Sequence, residues 1–277
     1  MTIDTDFTQP LMLPWRITQI GSGVVEQSAG ALRLMIPPTS PQVYSDAQLS
    51  DYAGKQDFAW RPPVRMTVRA YATYPHPLAP SPLHGEGEQS SDHLKGTAGF
   101  GFWNHPFVPG ERGFRLPQAA WFFFSAPPSN MALAKGVPGP GWKAATINAT
   151  RWPFLALLPT APIGLLLTRI PALYQRLWPI GQRAIGVSEH LLDSTLLLEV
   201  HTYMLEWHIN SVMFSIDGRT VHQTAAVLTG PLGFIAWIDN QYAIVTPQGR
   251  FGFGLVEVKD QQSLILESIR IESNFNN

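Results

Sequence analysis

The sequence predicts an antiparallel all-β protein, and three observations predict it. Residues 201–224 alternate with period two across three short runs, joined by a polar corner at 208–211 and by Asp217-Gly218, which is how a meander of half-buried strands reads. The same alternation returns toward both ends, in VRMTVRAY at 64–71 and LILESIRIES at 264–273. The chain is also 45% hydrophobic and only 14% charged, a balance that suits a compact globule. At 277 residues a single domain, 1–277, with insertions is expected.

Taken in order, residues 15–36 read as two short strands with Gly21-Ser22-Gly23 and Ser28-Ala29-Gly30 as turns, and Pro37, Pro38 and Pro41 stop them. Residues 43–49 and 64–71 alternate again, the second with Met66, Val68 and Ala70 on one face. Residues 75–95 hold four prolines and a Gly-Glu-Gly-Glu run, a composition that cannot bury a core face and reads as a mobile inserted loop. Strands resume at 96–103 and 119–125. In the first, Gly99 and Gly101 alternate with Phe100 and Phe102, leaving a nearly bare face that another backbone or a ligand can approach. In the second, Ala120 to Phe124 is apolar on both faces and asks for cover on each side. Residues 136–142 form a loop.

Residues 151–193 are leucine-rich and broken by Pro159, Pro162, Pro171 and Pro179, so they read as two or three short helices. Residues 163–167 with Ile170, Leu173, Tyr174 and Leu177 make an apolar stripe, with Arg169, Arg176 and Arg183 on a basic side. No uninterrupted run approaches the roughly 20 residues that a membrane span needs. Three roles stay open for this insert: packing on the sheet, a lid over a ligand groove, or a membrane-surface or partner-docking element. After the meander, 231–245 reads as a strand with Ile235, Trp237, Asp239 and Gln241 on one face, and 251–258 and 263–272 as closing strands.

The H-T-Y-x-L-x-W run at 201–207, its short turn and the hydrophobic strand closing on Asp217-Gly218 resemble the way family 16 glycoside hydrolases and their concanavalin A-like lectin and glucanase relatives write two neighbouring strands. A W...G.V....G.L.L opening and the V-R-x-x-V-R-A strand are similar too, so the resemblance covers both ends of the chain. It implies a two-sheet antiparallel jelly-roll sandwich, with 75–95 and 151–193 as insertions, the last strand returning to the first, and Trp207 and Phe214 inside. It also implies an E-x-D-x-x-E or E-x-D-x-E strand beyond Trp103, its carboxylates on the concave face about 5 to 5.5 Å apart for a retaining mechanism. The best positional match, AAWFFFSAPPSNMAL at 119–133, has no carboxylate, and Glu111 is the only one between 93 and 188. The resemblance therefore implies the scaffold without family 16-type hydrolysis, and leaves open whether the protein is an enzyme.

Charge and motifs narrow the chemistry further. Net charge is -1, yet residues 93–188 carry nine Lys or Arg against Glu111 alone, a basic middle on an acidic frame. With no cysteine, disulfides, thiolate metal sites and thiol nucleophiles are excluded. His76, His84 and His93 lack metal-ligand spacing, so no metal is expected. Nucleophile-elbow, Walker, dinucleotide and zincin motifs are missing, so no cofactor is expected, and aromatics in apolar context argue against nucleic acid. The acidic N-terminus has neither the basic start nor the apolar run of a signal peptide, and a cytoplasmic protein is expected.

What remains is a set of groups on strands expected to line a groove. His105 and Asp239 are the candidate proton-transfer residues, His105 because imidazole titrates near neutrality. Trp103, Asn104, Trp121, Phe123, Trp237, Gln241, Arg69 and Tyr44 are the candidate ligand-binding residues. The leading expectation is a non-hydrolytic binding protein holding a small, largely apolar or aromatic ligand. The alternatives are a cyclase or isomerase acting on a hydrophobic substrate in the same groove, and lectin-like carbohydrate binding.

Overall fold

A computed structural model describes residues 1–28, 30–54, 57–74, 94–104, 116–225, 228–273 and 275. Nearly all of the loop expected at 75–95 lies outside them, as do His76, His84, His93, His105 and Glu111. Two antiparallel sheets carry the architecture. The first runs, edge to edge, β13 (Arg219–Thr224), β12 (Val212–Ile216), β11 (His201–Trp207), β6 (Val64–Thr73), β17 (Gln262–Ser273), β4 (Ala31–Ile36) and β3 (Val24–Ser28), with β1 (Thr2–Thr5) on the far half of β17. The second runs β10 (Ser188–Leu192), β9 (Gly141–Asn148), β8 (Gln118–Ser125), β7 (Thr97–Trp103), β14 (Gly233–Asp239), β5 (Asp46–Ser50) and β2 (Arg16–Ile20). A hairpin, β15 (Gln241–Val245) with β16 (Phe251–Leu255), stands apart from both.

Alternation decides which side chains meet between the sheets. From the second sheet come Phe100, Phe102, Phe122, Trp142 and Phe234, and from the first Tyr203, Trp207 and Phe214, all fully buried. Their rings meet edge to face, Phe122 on Phe214 with centroids 5.3 Å apart and Phe100 on Tyr203 at 5.2 Å, the arrangement that the ring quadrupole favours. Trp207 and Phe214 thus lie inside the sandwich. The last strand returns to the first, Thr2 opposite Glu272. In the meander, Asp217 and Gly218 both take positive φ, 49° and 76°, as a two-residue hairpin turn requires.

Some boundaries differ from expectation. Residues 16–36 make three strands rather than two, because Gly21-Ser22-Gly23 is the corner at which the chain leaves one sheet for the other. A Cβ on Gly23 would lie 2.0 Å from the Asp46 carbonyl oxygen, so only glycine fits there. Phe251–Leu255 closes on β15 rather than on the sandwich. The insert yields α1 (Trp152–Leu157), a 3₁₀ turn (Leu158–Thr160), α2 (Ala161–Leu167) and α3 (Pro171–Ile185), each begun by an early proline. Gly186, at φ 65°, ends α3. The tail of the insert becomes strand β10, paired with β9.

Candidate functional site

The outer face of the second sheet collects the sequence's aromatic candidates. Register sets one row as Lys143, Phe123, Gly99, Trp237 and Gln48, and the next as Ala145, Trp121, Gly101, Ile235 and Ser50. Trp103 stands one row further, opposite Gly233. Trp103 and Trp237 are parallel within 4° at 6.3 Å between centroids, Trp121 tilts against Trp237 at 5.6 Å, and Phe123 stacks on Trp121 at 5.6 Å. The bare face of β7 is what admits these rings. A Cβ on Gly99 would come within 3.1 Å of the Trp237 ring, and one on Gly101 within 2.6 Å of the Trp121 Cβ. Phe123 and Trp237 are 7% and 8% exposed, whereas Trp103 and Trp121 keep half-exposed edges.

The cover over this cluster is Met131, from the segment between β8 and β9. Asn130 holds that segment to the hairpin, its N–H donating to the Ala243 carbonyl at 2.8 Å and its carbonyl accepting from Val245 N–H at 2.9 Å. Further along, Lys143 donates to the Met131 carbonyl at 3.3 Å, Glu189 accepts the Ala134 N–H at 2.8 Å, and the Trp178 indole of α3 donates to the Leu133 carbonyl at 2.8 Å. The helices therefore brace the strap rather than lying on the rings themselves. Lys143 and Glu189 form an ion pair at 3.5 Å under the strap. Burial pushes the Lys143 ammonium down and the Glu189 carboxyl up, each opposed by the charge of the other.

At the other end of the face, register places Asp46 directly opposite Asp239, and cross-strand neighbours on one face bring their Cβ atoms within about 5.5 Å. Asp239 Oδ1 accepts from Thr97 Oγ1 at 2.8 Å, Thr97 N–H at 3.1 Å and Gln241 N–H at 3.0 Å. The Trp237 indole donates to the same Thr97 hydroxyl at 2.9 Å, which links the aromatic cluster to the carboxylates. Asp46, 4% exposed, has no side-chain hydrogen bond among the described residues. Burial, then the Asp239 charge, pushes Asp46 up to about 8. Burial also raises Asp239 to about 7, against the hydrogen bonds from Thr97 and Gln241 that stabilise its charge. Such a pair retains a proton near neutrality, because two adjacent buried carboxylates resist ionising together. Tyr44, half-buried beside them, has its phenol raised by burial and then by both carboxylates.

The structure thus brings together Trp103, Trp121, Phe123 and Trp237, with Asp239 and Tyr44 at one end. Gln241 opens β15 with its side chain exposed, and its backbone rather than its amide reaches Asp239. Asn104 has both ends of its amide occupied, donating to the Leu116 carbonyl at 2.9 Å and accepting Gln118 N–H at 3.0 Å. Arg69 is not brought to this face. It projects outward from β6 in the first sheet and pairs with Glu267 at 2.5 Å, because alternation buries Val68 and Ala70 and turns Arg69 to the far side. Sequence reasoning missed Asp46 and Gln48, whose signal was the alternation of DAQLS against buried Ala47 and Leu49.

No protein-family model matches the sequence, and neither does any curated protein. Solved structures do match over nearly the whole chain. An endo-acting O-glycanase from the human gut microbiota, described as initiating mucin breakdown, is 11% identical with a TM-score of 0.51, covering 99% of each chain. A prokaryotic β-1,3-1,4-glucanase (lichenase) from a mouse hindgut metagenome is 11% identical with a TM-score of 0.51, covering 98% of each chain. The apo Crh5 transglycosylase is 10% identical with a TM-score of 0.50, covering 99% of this chain and 85% of its own. At such identities the likeness concerns the fold, and the fold is the concanavalin A-like jelly roll.

Proposed function

We propose that the outer face of the second sheet recognises carbohydrate without cleaving it. The observation that carries this reading is the outward row of β8, Ala119, Trp121, Phe123 and Ser125, which holds no carboxylate on the strand that best matches the position the resemblance implies for a retaining hydrolase's carboxylates. Trp121 and Trp103 keep exposed edges there, and a flat indole matches the apolar C–H face of a sugar ring. Gln48 and the proton-bearing Asp46–Asp239 pair supply polar groups beside them. Likeness in fold to structures named as an O-glycanase and a β-1,3-1,4-glucanase supports the same ligand class. A small apolar ligand is less well served, because Phe123, Ile235, Trp237 and Met131 already fill one another's space where such a ligand needs a cavity. A proton-transfer role is also weaker for Asp239, whose Oδ1 is taken by three donors.

Affinity electrophoresis in gels containing mixed-linkage β-glucan or mucin tests the reading. The protein should be retarded in at least one gel, and Trp121→Ala and Trp103→Ala should each restore free migration. Unretarded wild-type protein in both, or retardation indifferent to the two tryptophans, contradicts it.

A further inference from the structure

The helical insert and the β15–β16 hairpin present a surface that carbohydrate recognition does not use. Residues 151–188 contain Arg151, Arg169, Arg176 and Arg183 and no Asp or Glu. On the same segment Trp152, Ile163, Leu166 and Ile170 are exposed, Trp152 to 76%, and on the hairpin Phe251 and Phe253 are exposed, Phe253 to 69%. Isolated exposed apolar residues are ordinary, but six large ones on two adjoining segments point to a site of attachment. The two parts are fastened together. Thr168 donates to the Pro247 carbonyl at 2.6 Å, Arg169 donates to the Gln248 carbonyl at 3.3 Å, and Gly249 lies against Leu165. At the junction is a cleft of about 330 Å³ lined by Arg169, Gln248 and Arg250. Neither Arg169 nor Arg250 pairs with a carboxylate among the described residues.

We propose that this surface docks on an anionic lipid bilayer, the exposed tryptophan, isoleucine, leucine and phenylalanine side chains entering the interface while Arg169 and Arg250 hold a phosphate headgroup between them. Guanidinium groups match phosphate oxygens in fork geometry, and the Gln248 amide adds a donor at the same place. Amphipathic elements that combine tryptophan and apolar residues with arginine, and lack acids, lie in the plane of a membrane surface. None of the described helices is long and apolar enough to cross one. A bilayer meets both halves of this surface at once, apolar depth and negative charge. A second copy docked two-fold through the same surface would set these arginines against one another.

Flotation of the full chain with vesicles tests this. Vesicles of phosphatidylcholine containing about 30 mol% phosphatidylglycerol should carry the protein upward, and vesicles of phosphatidylcholine alone should leave it behind. Arg169→Gln combined with Arg250→Gln should lower partitioning about twenty-fivefold, each surface charge contributing about fivefold. Ile163→Ser combined with Phe253→Ser should lower it as well. All four residues are exposed and Thr168 still holds the insert to the hairpin, so the variants should melt like the wild type and keep carbohydrate binding, which separates this proposal from the previous one. Failure to float with anionic vesicles, or equal binding to both compositions, would overturn it. So would a concentration-dependent dimer that Phe253→Ser dissolves, which would assign the surface to a second copy.

Discussion

Asp46 and Asp239 show how two residues unremarkable in sequence become a titrating pair once register sets them opposite each other. Their folded pKa values are raised, to about 8 and about 7, from an ordinary value of 3.8. The folded state therefore holds protons that the unfolded chain releases. Stability should fall as pH rises from about 4 through the folded values, at up to about 1.4 kcal/mol per pH unit per group, and be greatest on the acid side of that window. Asp46→Asn, which keeps the shape and removes the charge, should raise the melting temperature at pH near 8, leave it nearly unchanged near pH 4, and flatten the profile between. Melts across that range check this, and a wild-type profile that is already flat would remove the raised pair from the account. Gly99 is the complementary case. Its missing side chain makes room for the Trp237 ring, and an added Cβ would also sit 2.3 Å from the Phe122 carbonyl oxygen. Gly99→Ala should cost about 1 to 3 kcal/mol in urea unfolding, where a surface glycine would cost almost nothing.

The strap between β8 and β9 rests in part on one buried ion pair. Lys143 is almost wholly buried and its ammonium meets Glu189 and the Met131 carbonyl. Removing one partner leaves a buried charge uncompensated, so Lys143→Ala should destabilise by about 3 kcal/mol, while Lys143→Met with Glu189→Leu should recover most of that loss. Chemical denaturation of the single and double variants measures the difference, and equal losses in both would mean that the loss does not come from an uncompensated buried charge. Elements of this kind were unevenly legible. Early prolines and leucine-rich composition made the helices readable, whereas β10 was hidden because Ser188 to Leu192 owes its strand form to pairing with β9 rather than to any alternation of its own. The FGFGL run of β16 alternates visibly, but its partner is β15, and local pattern does not say which strand another will pair with.

Across the whole molecule, alternation reports which face a residue takes but not which sheet its strand joins. That is why Trp103, Trp121, Phe123 and Trp237 share one outer face while Arg69, equally outward, lies on the opposite side of the sandwich. The meander, the returning last strand and the buried Trp207 and Phe214 were legible because the core between two sheets demands strict period two. Asp46 and Gln48 were not, because β5 is only five residues long and its significance lies in the rows it completes. At this scale too belongs the proposal that a hydrolase-like scaffold recognises carbohydrate through aromatic residues in the outward row of β8. Calorimetric titration with mixed-linkage β-glucan and mucin-type oligosaccharides, followed by a reducing-end assay of the same samples, tests it most directly. Binding to one of them should be saturable and at least tenfold weaker in Trp121→Ala, a loss of about 1.4 kcal/mol or more, with no reducing ends released. Release of reducing ends by the wild type, or titration without heat from either ligand, would contradict it.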